Sequence, residues 1–381
     1  MVDWWNGGGI VLRTCEQERG RLVVQIGTSD VHEAVAAVAA LRFDPADPLR
    51  DGIIGVDINM GCPKRSAVAG GSGGALFADA ARAEAIVRAL RAVLPERVAL
   101  SCKVRLHADG AQETLRRCRR LVASGAAAVA IHARTASERS RDLARWGELA
   151  LVAAALREHG TRVIVNGDAL DRVAASALAA AAPGCDVMVG RGALHAGNGL
   201  FAAVGSGVSE GGLAGRPCDE IEDEDDEALD AATLAMCIRY AQIAIDVENP
   251  PQNTAFVLQW MLHARMRERR HAPCIPTGVP PTTGGGAGGT ITVEAAAKAL
   301  CGASSMGGIA SALGLEGHLN AKARGTPAAP THRYTPGYFE GPVHAMSDWA
   351  QAPSRQALRQ GHAAMDAHPR TNDDFRRLVH A

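Results

Sequence analysis

The sequence predicts an α/β fold of the (β/α)8, or TIM, barrel type, followed by a small helical domain. Between residues 20 and 200, a short β-branched run, a polar or glycine-rich turn and an alanine-rich helical stretch recur, giving about six βα units. Polar residues also follow the carboxyl end of every predicted strand. A barrel gathers all of these ends on one face, whereas a doubly wound sheet uses mainly the ends near one switch point. The barrel is therefore the favoured architecture.

The predicted strands are almost continuously apolar, which is typical of parallel strands covered on both faces. They are Leu22–Ile26, Ile53–Ile58, Val98–Val104, Ala127–Ile131, Arg162–Val165 and Asp186–Val189. The helices that follow them are predicted at Val31–Arg42, Ala80–Leu94, Gln112–Ser124, Trp146–His159 and Asp171–Ala181. Since a barrel of this type closes with eight strands, six strands are expected to leave apolar edges at the first and the last of them.

A second pattern begins after the barrel, which we place at residues 1–210. An acidic run predicts a solvated linker at 211–228. A small helical domain is predicted at 229–320, with a flexible insertion rich in Pro, Thr and Gly at 273–290. Its helices are predicted at Asp230–Asp246, Gln252–Arg269, Val293–Gly302 and Ser304–Leu315. Residues 321–381 show no periodic pattern and are treated as an irregular tail.

Composition narrows the class of protein. No run of residues is long enough to span a bilayer, and no apolar segment follows a basic start, so a cytoplasmic protein without a membrane partner is expected, with organellar targeting as the alternative. The protein is also expected to be a monomer. The nine cysteines form no CxxC pair, which argues against a zinc ribbon or an iron–sulfur cluster, and no metal site is predicted. The formal net charge is −1, and without the eight carboxylates between Asp219 and Glu227 the rest of the chain carries +7.

Cys62 is the residue that most strongly suggests catalysis. It lies in the segment Gly55–Lys64 (GVDINMGCPK), beyond a predicted strand and before a proline, and a glycine-rich segment follows at Gly70–Leu76. A loop of this composition can approach a ligand closely. The alternative is an ordinary loop cysteine. The neighbouring Asn59 and the polar residues at the other strand ends favour the catalytic interpretation.

Six short motifs occur in order along the predicted barrel: Gln25–Asp30, Asn59–Lys64, Cys102–Arg105, Ile131–Arg134, Asn166–Asp168 and Gly190-Arg191. Together they resemble the tRNA-dihydrouridine synthases, most closely the eukaryotic branch that acts on uridine 20 of the D-loop. The resemblance covers roughly residues 10–200 and, more loosely, the helices to about residue 320. The first two barrel strands of that family are not recognisable. An incomplete gene model is the favoured explanation, ahead of a truncated inactive protein or a partner that supplies the missing strands.

The resemblance implies a flavin enzyme. FMN would be held by Gln25, Lys103, His132, Asn166, Gly167, Asp168, Gly190 and Arg191. The turns after the last two strands are where barrels commonly bind phosphate, and Arg191 can add a charge-assisted pair. Alone, His132 could equally be a structural hydrogen-bonding residue. NADPH or NADH would reduce FMN, hydride would pass to C6 of uracil, and Cys62 would protonate C5. An unperturbed thiol is mostly protonated at neutral pH, as such an acid must be.

The substrate implied by the resemblance is tRNA with its uracil out of the stack. The resemblance also implies that the helical domain at 229–320 binds this tRNA. Asn59, Arg105 and Arg134 are candidates for contacts with the uracil or with a tRNA phosphate. A basic cluster on the second C-terminal helix is a candidate for backbone contacts, although it can also be read as a solvated helix end. Its members are His263, Arg265, Arg267, Arg269, Arg270 and His271.

Two other functions stay open at this point. Dihydropyrimidine dehydrogenases use a similar Asn-x-x-Cys-Pro turn, so an FMN barrel that reduces a free pyrimidine is one alternative. The missing clusters of cysteines and the helical domain argue against it. The other alternative is a non-catalytic, RNA-binding remnant of the family, which the missing strands make plausible.

Overall fold

Six parallel strands and the helices between them form the first of two units in the computed structural model. The structure describes residues 2–6, 9–44, 46, 52–194, 223–270 and 291–324. The first unit contains the described residues up to Ala169 together with Ala174–Val189. The second contains Leu170–Val173 and the described residues from Gly190 onward.

The strands of the first unit form two sheets. A hairpin of β1 (Val2–Asn6) and β2 (Gly9–Thr14) is antiparallel. The parallel sheet has the order β3-β4-β5-β6-β7-β8. Its strands are β3 (Leu22–Ile26), β4 (Ile53–Asn59), β5 (Ala99–Arg105), β6 (Ala128–His132), β7 (Arg162–Asn166) and β8 (Asp186–Met188). This arrangement confirms the predicted fold class as a partial barrel, and all six predicted strands are present. The hairpin was not predicted.

Seven α-helices are found among the described residues of the segments that connect these strands. They are α1 (Val31–Leu41), α2 (Arg65–Ala69), α3 (Gly74–Ala78), α4 (Ala80–Val93), α5 (Ala111–Ala123), α6 (Trp146–Arg157) and α7 (Arg172–Ala181). Asp30 caps α1 by accepting hydrogen bonds from the backbone N–H groups of His32 and Glu33. The two short helices α2 and α3 lie in the glycine-rich region after Cys62, where only a loop was predicted.

The two faces of the parallel sheet differ in chemistry, because successive side chains of a strand point to opposite sides. One face packs on the helices and is apolar. Its residues include Val56, Ile58, Leu100, Val104, Val129, Ile131, Val163 and Val165. We call the opposite face the polar face, defined by Gln25, Asp57, Asn59, Ser101, Lys103, Arg105, His132 and Asn166. The register pairs Gln25 with Asp57 and Asp57 with Ser101, and pairs Arg105 with His132 and His132 with Asn166.

The second unit is helical. It comprises α8 (Asp223–Asp246), α9 (Pro251–Arg270), α10 (Val293–Leu300), α11 (Met306–Ala312) and α12 (Glu316–Ala323). It has an apolar core of its own, built from residues such as Leu258, Leu262, Leu300 and Ile309. The predicted helices are confirmed, and α12 is an addition. None of the described helices is long and apolar enough to cross a membrane.

The structure differs from the prediction at one boundary in this part of the chain. The segment 211–228 was expected to be a linker, but α8 already begins at Asp223. Acidic residues at a helix N-terminus interact favourably with the helix dipole, so a run of carboxylates there favours helix rather than opposing it. The predicted insertion at 273–290, the tail beyond residue 324 and the linker residues up to 222 lie outside the described residues.

Candidate functional site

The Cys62 turn is fixed directly to the end of β4. The Asn59 side-chain oxygen accepts hydrogen bonds from the backbone N–H groups of Gly61 (3.2 Å) and Cys62 (3.0 Å). The backbone N–H of Met60 donates to the carbonyl of Lys103 on β5 at 2.8 Å. Asn59 therefore orders the turn that carries the half-buried Cys62 thiol.

The glycine-rich segment packs back on Cys62. The backbone N–H of Gly74 donates to the Cys62 carbonyl at 3.0 Å. Gly73 has φ +58°, and a β-carbon at this position would lie 2.7 Å from the Cys62 carbonyl oxygen and 2.9 Å from its β-carbon. No side chain fits at this distance, so glycine is required at position 73. The predicted close approach is thus between this segment and the Cys62 turn itself.

Arg105 joins the Cys62 turn to the loop after β6. Its Nε donates a hydrogen bond to the Gly61 carbonyl at 2.8 Å, and its Nη1 donates to the Thr135 carbonyl at 2.9 Å. Burial lowers the pKa of this guanidinium, with a further contribution from the nearby charge of Arg134. Arg105 was predicted to contact substrate, but its described contacts position two loops, and it lies beside the turn that carries Cys62.

Lys103 and His132 bring two nitrogen groups to the polar face. Burial lowers the pKa of Lys103 to about 8, although the nearby Asp57 charge opposes the shift. Burial, reinforced by the charges of Lys103 and Arg105, lowers the pKa of His132 to about 3, so its imidazole is neutral. Within the described part of the chain, the buried Nδ1 of His132 has no hydrogen-bond partner. Such an unsatisfied buried group normally marks a contact with water or a ligand.

The Asn166-Gly167-Asp168 turn after β7 is held from several sides. Asn166 donates its side-chain N–H to the Met188 carbonyl at 2.8 Å, and the Trp146 indole donates to the Gly167 carbonyl at 2.9 Å. Gly167 has φ +139°, and a β-carbon there would lie 3.1 Å from that of Ala144. The turn is therefore closely packed, and its backbone course is fixed before any ligand binds.

Arg134 occupies a buried position behind this turn. It is 2% exposed, and one of its nitrogens lies 2.7 Å from Oδ1 and 2.5 Å from Oδ2 of Asp168. Its Nε donates to the Asp142 carbonyl at 2.6 Å. A contact with tRNA would require this buried ion pair to open. We therefore assign Arg134 a positioning role in place of the substrate contact that was predicted, and Asp168 is its partner.

Gly190 and Arg191 belong to the second unit. Arg191 begins a short 3-10 helix, Arg191–Leu194, that follows β8 in the chain. Gln25, Asn59, Lys103, His132 and Asn166 all belong to the first unit, where they share the polar face.

Asp57 is a site residue that the sequence analysis did not single out. It is 6% exposed, and burial raises the pKa of its carboxyl. It accepts hydrogen bonds from the Gln25 side-chain amide at 2.7 Å and from the Ser101 hydroxyl at 2.6 Å. The sequence pattern could have identified it by its position in the strand. Residues two apart point to the same face, and Asp57 lies two residues before Asn59.

The predicted basic cluster on α9 is only partly supported. Arg265 is 4% exposed and forms an ion pair with Asp230, with 2.8 Å between Nε and Oδ1. It cannot contribute to a surface patch, and this part of the prediction is wrong. His263 is exposed. The side chains of Arg267, Arg269 and Arg270, and the whole of His271, lie outside the described residues.

Comparison with known proteins shows where the first unit belongs. The sequence matches the profile of the dihydrouridine synthase family over residues 9–211, which is more than half of the chain. It is 30% identical over 163 residues to the tRNA-dihydrouridine(20) synthase [NAD(P)+] of Schizosaccharomyces pombe, covering 42% of this chain and 32% of that protein.

Bacterial relatives are also similar to part of the chain. The tRNA-dihydrouridine(16) synthase of Cupriavidus necator is 36% identical over 141 residues, covering 37% of this chain and 42% of that protein. A probable tRNA-dihydrouridine synthase of Mycobacterium leprae is 30% identical over 201 residues, or 48% and 52% of the two chains. The chain thus spans between about a third and a half of the length of these relatives. The profile match and the partial parallel barrel agree, and the chain belongs to the dihydrouridine synthase family.

Proposed function

We propose that this chain reduces uridine in the D-loop of tRNA to 5,6-dihydrouridine, with FMN as the flavin and NADPH or NADH as the reductant. The observation that supports it best is the arrangement of the polar face. The turn that carries Cys62 is hydrogen bonded to the strand that carries Lys103, and the buried His132 Nδ1 on the next strand has no partner among the described residues. A proton donor thus lies beside groups suited to an anionic, planar ligand.

The donor set of the first unit fits a flavin. A desolvated ammonium group stabilises a bound anion more strongly than an exposed one, and the unpaired imidazole nitrogen of His132 offers a hydrogen bond. In the first unit, the residues that would hold FMN are Gln25, Lys103, His132, Asn166, Gly167 and Asp168. The part expected of Gly190 and Arg191 stays a prediction. When bound, FMN would supply the hydride that is added to C6 of the uracil.

Cys62 would complete the reduction as a general acid. Hydride addition at C6 leaves a negative charge shared between C5 and the O4 carbonyl of the uracil, and a proton at C5 gives the product. The Cys62 thiol would donate this proton, while Asn59 holds the turn in place by its two hydrogen bonds to the backbone. Asn59 could also contact the uracil, and Arg105 would keep the turn against the loop after β6.

The substrate is proposed to be tRNA, from which a uracil must leave its stack to reach the polar face. His263 is the described member of the basic cluster that remains available for a contact with the tRNA backbone. That the protein is a cytoplasmic monomer remains a prediction.

The decisive experiment measures dihydrouridine by mass spectrometry in an unmodified tRNA transcript that has been incubated with the protein, FMN and NADPH. We expect Cys62→Ala to bind flavin and to accept electrons from NADPH, but to lose at least about 100-fold in uridine reduction, since a positioned acid typically contributes that much. Cys301→Ala, at an exposed cysteine of the second unit, is the matched control and should be as active as the wild type.

Three results would each contradict a different part of the proposed function. Normal turnover by Cys62→Ala would rule out the proposed acid. A purified protein without flavin absorbance, even after FMN is added, contradicts the whole proposal and favours a non-catalytic, RNA-binding role. Reduction of free uracil without reduction of tRNA would show that the substrate class is wrong.

A further inference from the structure

A continuous chain of hydrogen bonds links Asp57 to the Cys62 turn. The Gln25 side-chain N–H group donates to the Asp57 carboxylate at 2.7 Å, and the Asn59 side-chain N–H group donates to the Gln25 oxygen at 2.8 Å. The Asn59 oxygen in turn accepts from the backbone N–H groups of Gly61 and Cys62. This series of hydrogen bonds leads from Asp57 in the middle of β4 to Gln25 on β3, back to Asn59 at the end of β4 and into the turn.

The groups at the two ends of this series determine in which direction its hydrogen bonds are donated. The carboxylate at one end can only accept hydrogen bonds, and the backbone N–H groups at the other end can only donate. The two amides between them can each be turned in two ways. Only one combination supplies a donor and an acceptor to every bond, with both nitrogens toward Asp57 and both oxygens toward Cys62. The carboxylate at one end and the backbone N–H groups at the other therefore favour the same orientation of Asn59, with its oxygen toward the turn.

Packing alone does not account for a carboxylate at this position. A buried carboxylate carries a large desolvation cost, and an apolar residue of similar size is generally the more stable choice inside a protein. Asp57 is 6% exposed in a strand whose buried neighbours are apolar. Its two hydrogen bonds, from Gln25 and Ser101, offset part of that cost.

We propose that Asp57 is a positioning residue, which fixes the orientation of the Gln25 and Asn59 amides and thereby the backbone of the Cys62 turn. Its importance for catalysis rests on the proposed function of Cys62. The effect on the turn does not, because it follows from the hydrogen bonds alone. The side-chain partners of Asp57 are Gln25 and Ser101, and its effect on the Cys62 turn passes through the Gln25 and Asn59 amides. Its charge also acts on Lys103, which is a separate effect.

Amide hydrogen exchange, resolved to single residues, tests this idea in the intact chain without added flavin. In Asp57→Leu, exchange at the Gly61 and Cys62 N–H groups should become at least about fivefold faster, the factor that corresponds to the loss of one ordinary hydrogen bond. The Met60 N–H group is an internal reference, because it is bound to the Lys103 carbonyl outside the chain of amides. Asn59→Ala should accelerate exchange at the same two amides.

A pair of smaller substitutions keeps the test valid if Asp57→Leu fails to fold. In Asp57→Asn, the Ser101 hydroxyl can accept a hydrogen bond from the new amide nitrogen, which keeps the amide oxygen toward Gln25. Asp57→Asn and Ser101→Ala should therefore each exchange at close to the wild-type rate. The double variant, in which nothing selects the orientation of the new amide, should be at least about fivefold faster at Gly61 and Cys62.

Two results would overturn the proposal. One is wild-type exchange at Gly61 and Cys62 in the double variant. The other is faster exchange in Ser101→Ala alone, which would indicate a general loosening of the sheet.

Enzyme kinetics provide a second measurement of the same effect. We expect a lower kcat for dihydrouridine formation in Asp57→Leu or in the double variant, with an unchanged KM for tRNA. If the exchange pattern appears but the wild type forms no dihydrouridine, the proposed function fails and the positioning role stands.

Discussion

The ammonium group of Lys103 gives the proposed flavin site a distinct pH dependence. Its lowered pKa of about 8 means that the side chain is charged below that pH and neutral above it. If this charge holds FMN, the affinity for FMN should fall on the order of tenfold as the pH rises from 7 to 9, because a charge-assisted hydrogen bond is lost. Titration of FMN fluorescence at several pH values measures the effect.

Two variants test whether the charge of Lys103, and not that of another group, causes this pH dependence of FMN affinity. Lys103→Met should bind FMN weakly at every pH and show little change between pH 7 and 9. Lys298→Met, at an exposed lysine of α10 in the second unit, should retain the wild-type profile. A wild-type affinity that stays constant across this range would show that Lys103 does not hold the flavin by its charge.

Gly73 is a backbone position with little room for a side chain. Gly73→Ala combines a positive φ of +58° with a β-carbon 2.7 Å from the Cys62 carbonyl oxygen, so we expect the free energy of unfolding to fall by about 1–3 kcal/mol. Gly70→Ala is the matched control in the same segment. Its φ is −80°, and the nearest atom would lie 3.5 Å from the new β-carbon. Urea unfolding of both variants tests the prediction, and equal stability would contradict it.

Among single residues, the sequence predicted which types stand at the strand ends but not all of their roles. Lys103, His132 and Asn59 lie where the strand pattern places them. Arg105 and Arg134 do not have the roles expected, since their partners are carbonyl oxygens of distant loops and a carboxylate 34 residues away. Backbone carbonyls leave no mark on composition, so such contacts could not be read from the sequence.

Helix α5 holds α3, the helix that follows Gly73, through Arg117. The Arg117 guanidinium donates to the carbonyls of Phe77 and Ala78 at 2.7 Å each, and it is paired with Glu113 one turn earlier. Hydrogen bonding to Arg116, followed by that to Arg117, lowers the pKa of Glu113 to about 2. The carboxylate thus orients the arginine that holds α3.

Since the pKa of Glu113 is lower in the folded chain than in the unfolded one, its contribution is present above pH ~4.5 and is lost as the pH falls toward about 2. Glu113→Gln should lower the free energy of unfolding by about 1 kcal/mol at pH 7, and the difference should shrink steadily between pH 5 and 3. Chemical denaturation at several pH values checks this. Glu158→Gln, at an exposed position after α6, should have little effect, and a pH-independent difference for Glu113→Gln would argue against the ion pair.

The parallel strands were the elements best predicted, and their ends agree with the structure to within one residue. Each is a short apolar run between a turn and a helix, so the signal is local. The hairpin of β1 and β2 was missed, although Asn6 followed by three glycines is a typical hairpin turn. The start of α8 was misplaced because a run of carboxylates has the same composition at a helix N-terminus as in a linker.

Across the whole parallel sheet, the protection of backbone amides from hydrogen exchange should decrease from the central strands to the edge strands. Among the described residues, β3 and β8 each pair with one strand, whereas β4 to β7 pair on both sides. The side chains of β8 are all partly exposed, and those of β5 are mostly buried. We therefore expect backbone amides of β5 and β6 to exchange most slowly and those of β3 and β8 faster, which hydrogen-exchange mass spectrometry can resolve. Equal protection of all six strands would mean that the edges are covered.

The fold class was predictable because its repeat extends over much of the chain, and every unit supports the same conclusion. The division into two units was harder to place. The predicted boundary at residue 210 falls outside the described residues, whereas the second unit takes in Gly190, directly after the last strand. The apolar pattern ends the last strand at Val189, but it does not show that a new unit begins at the next residue.

The contacts of Arg105 have a consequence for how this protein can diverge. Its guanidinium holds the carbonyls of Gly61 and Thr135, and a carbonyl oxygen is the same whatever side chain its residue carries. These two contacts therefore place no restriction on the side chains at Gly61 and Thr135, provided that the backbone keeps its course. The arginine itself is constrained by two loops at once. Substitutions in these loops, other than at Asn59 and Cys62, should accordingly be better tolerated in its presence and become interdependent once it is lost.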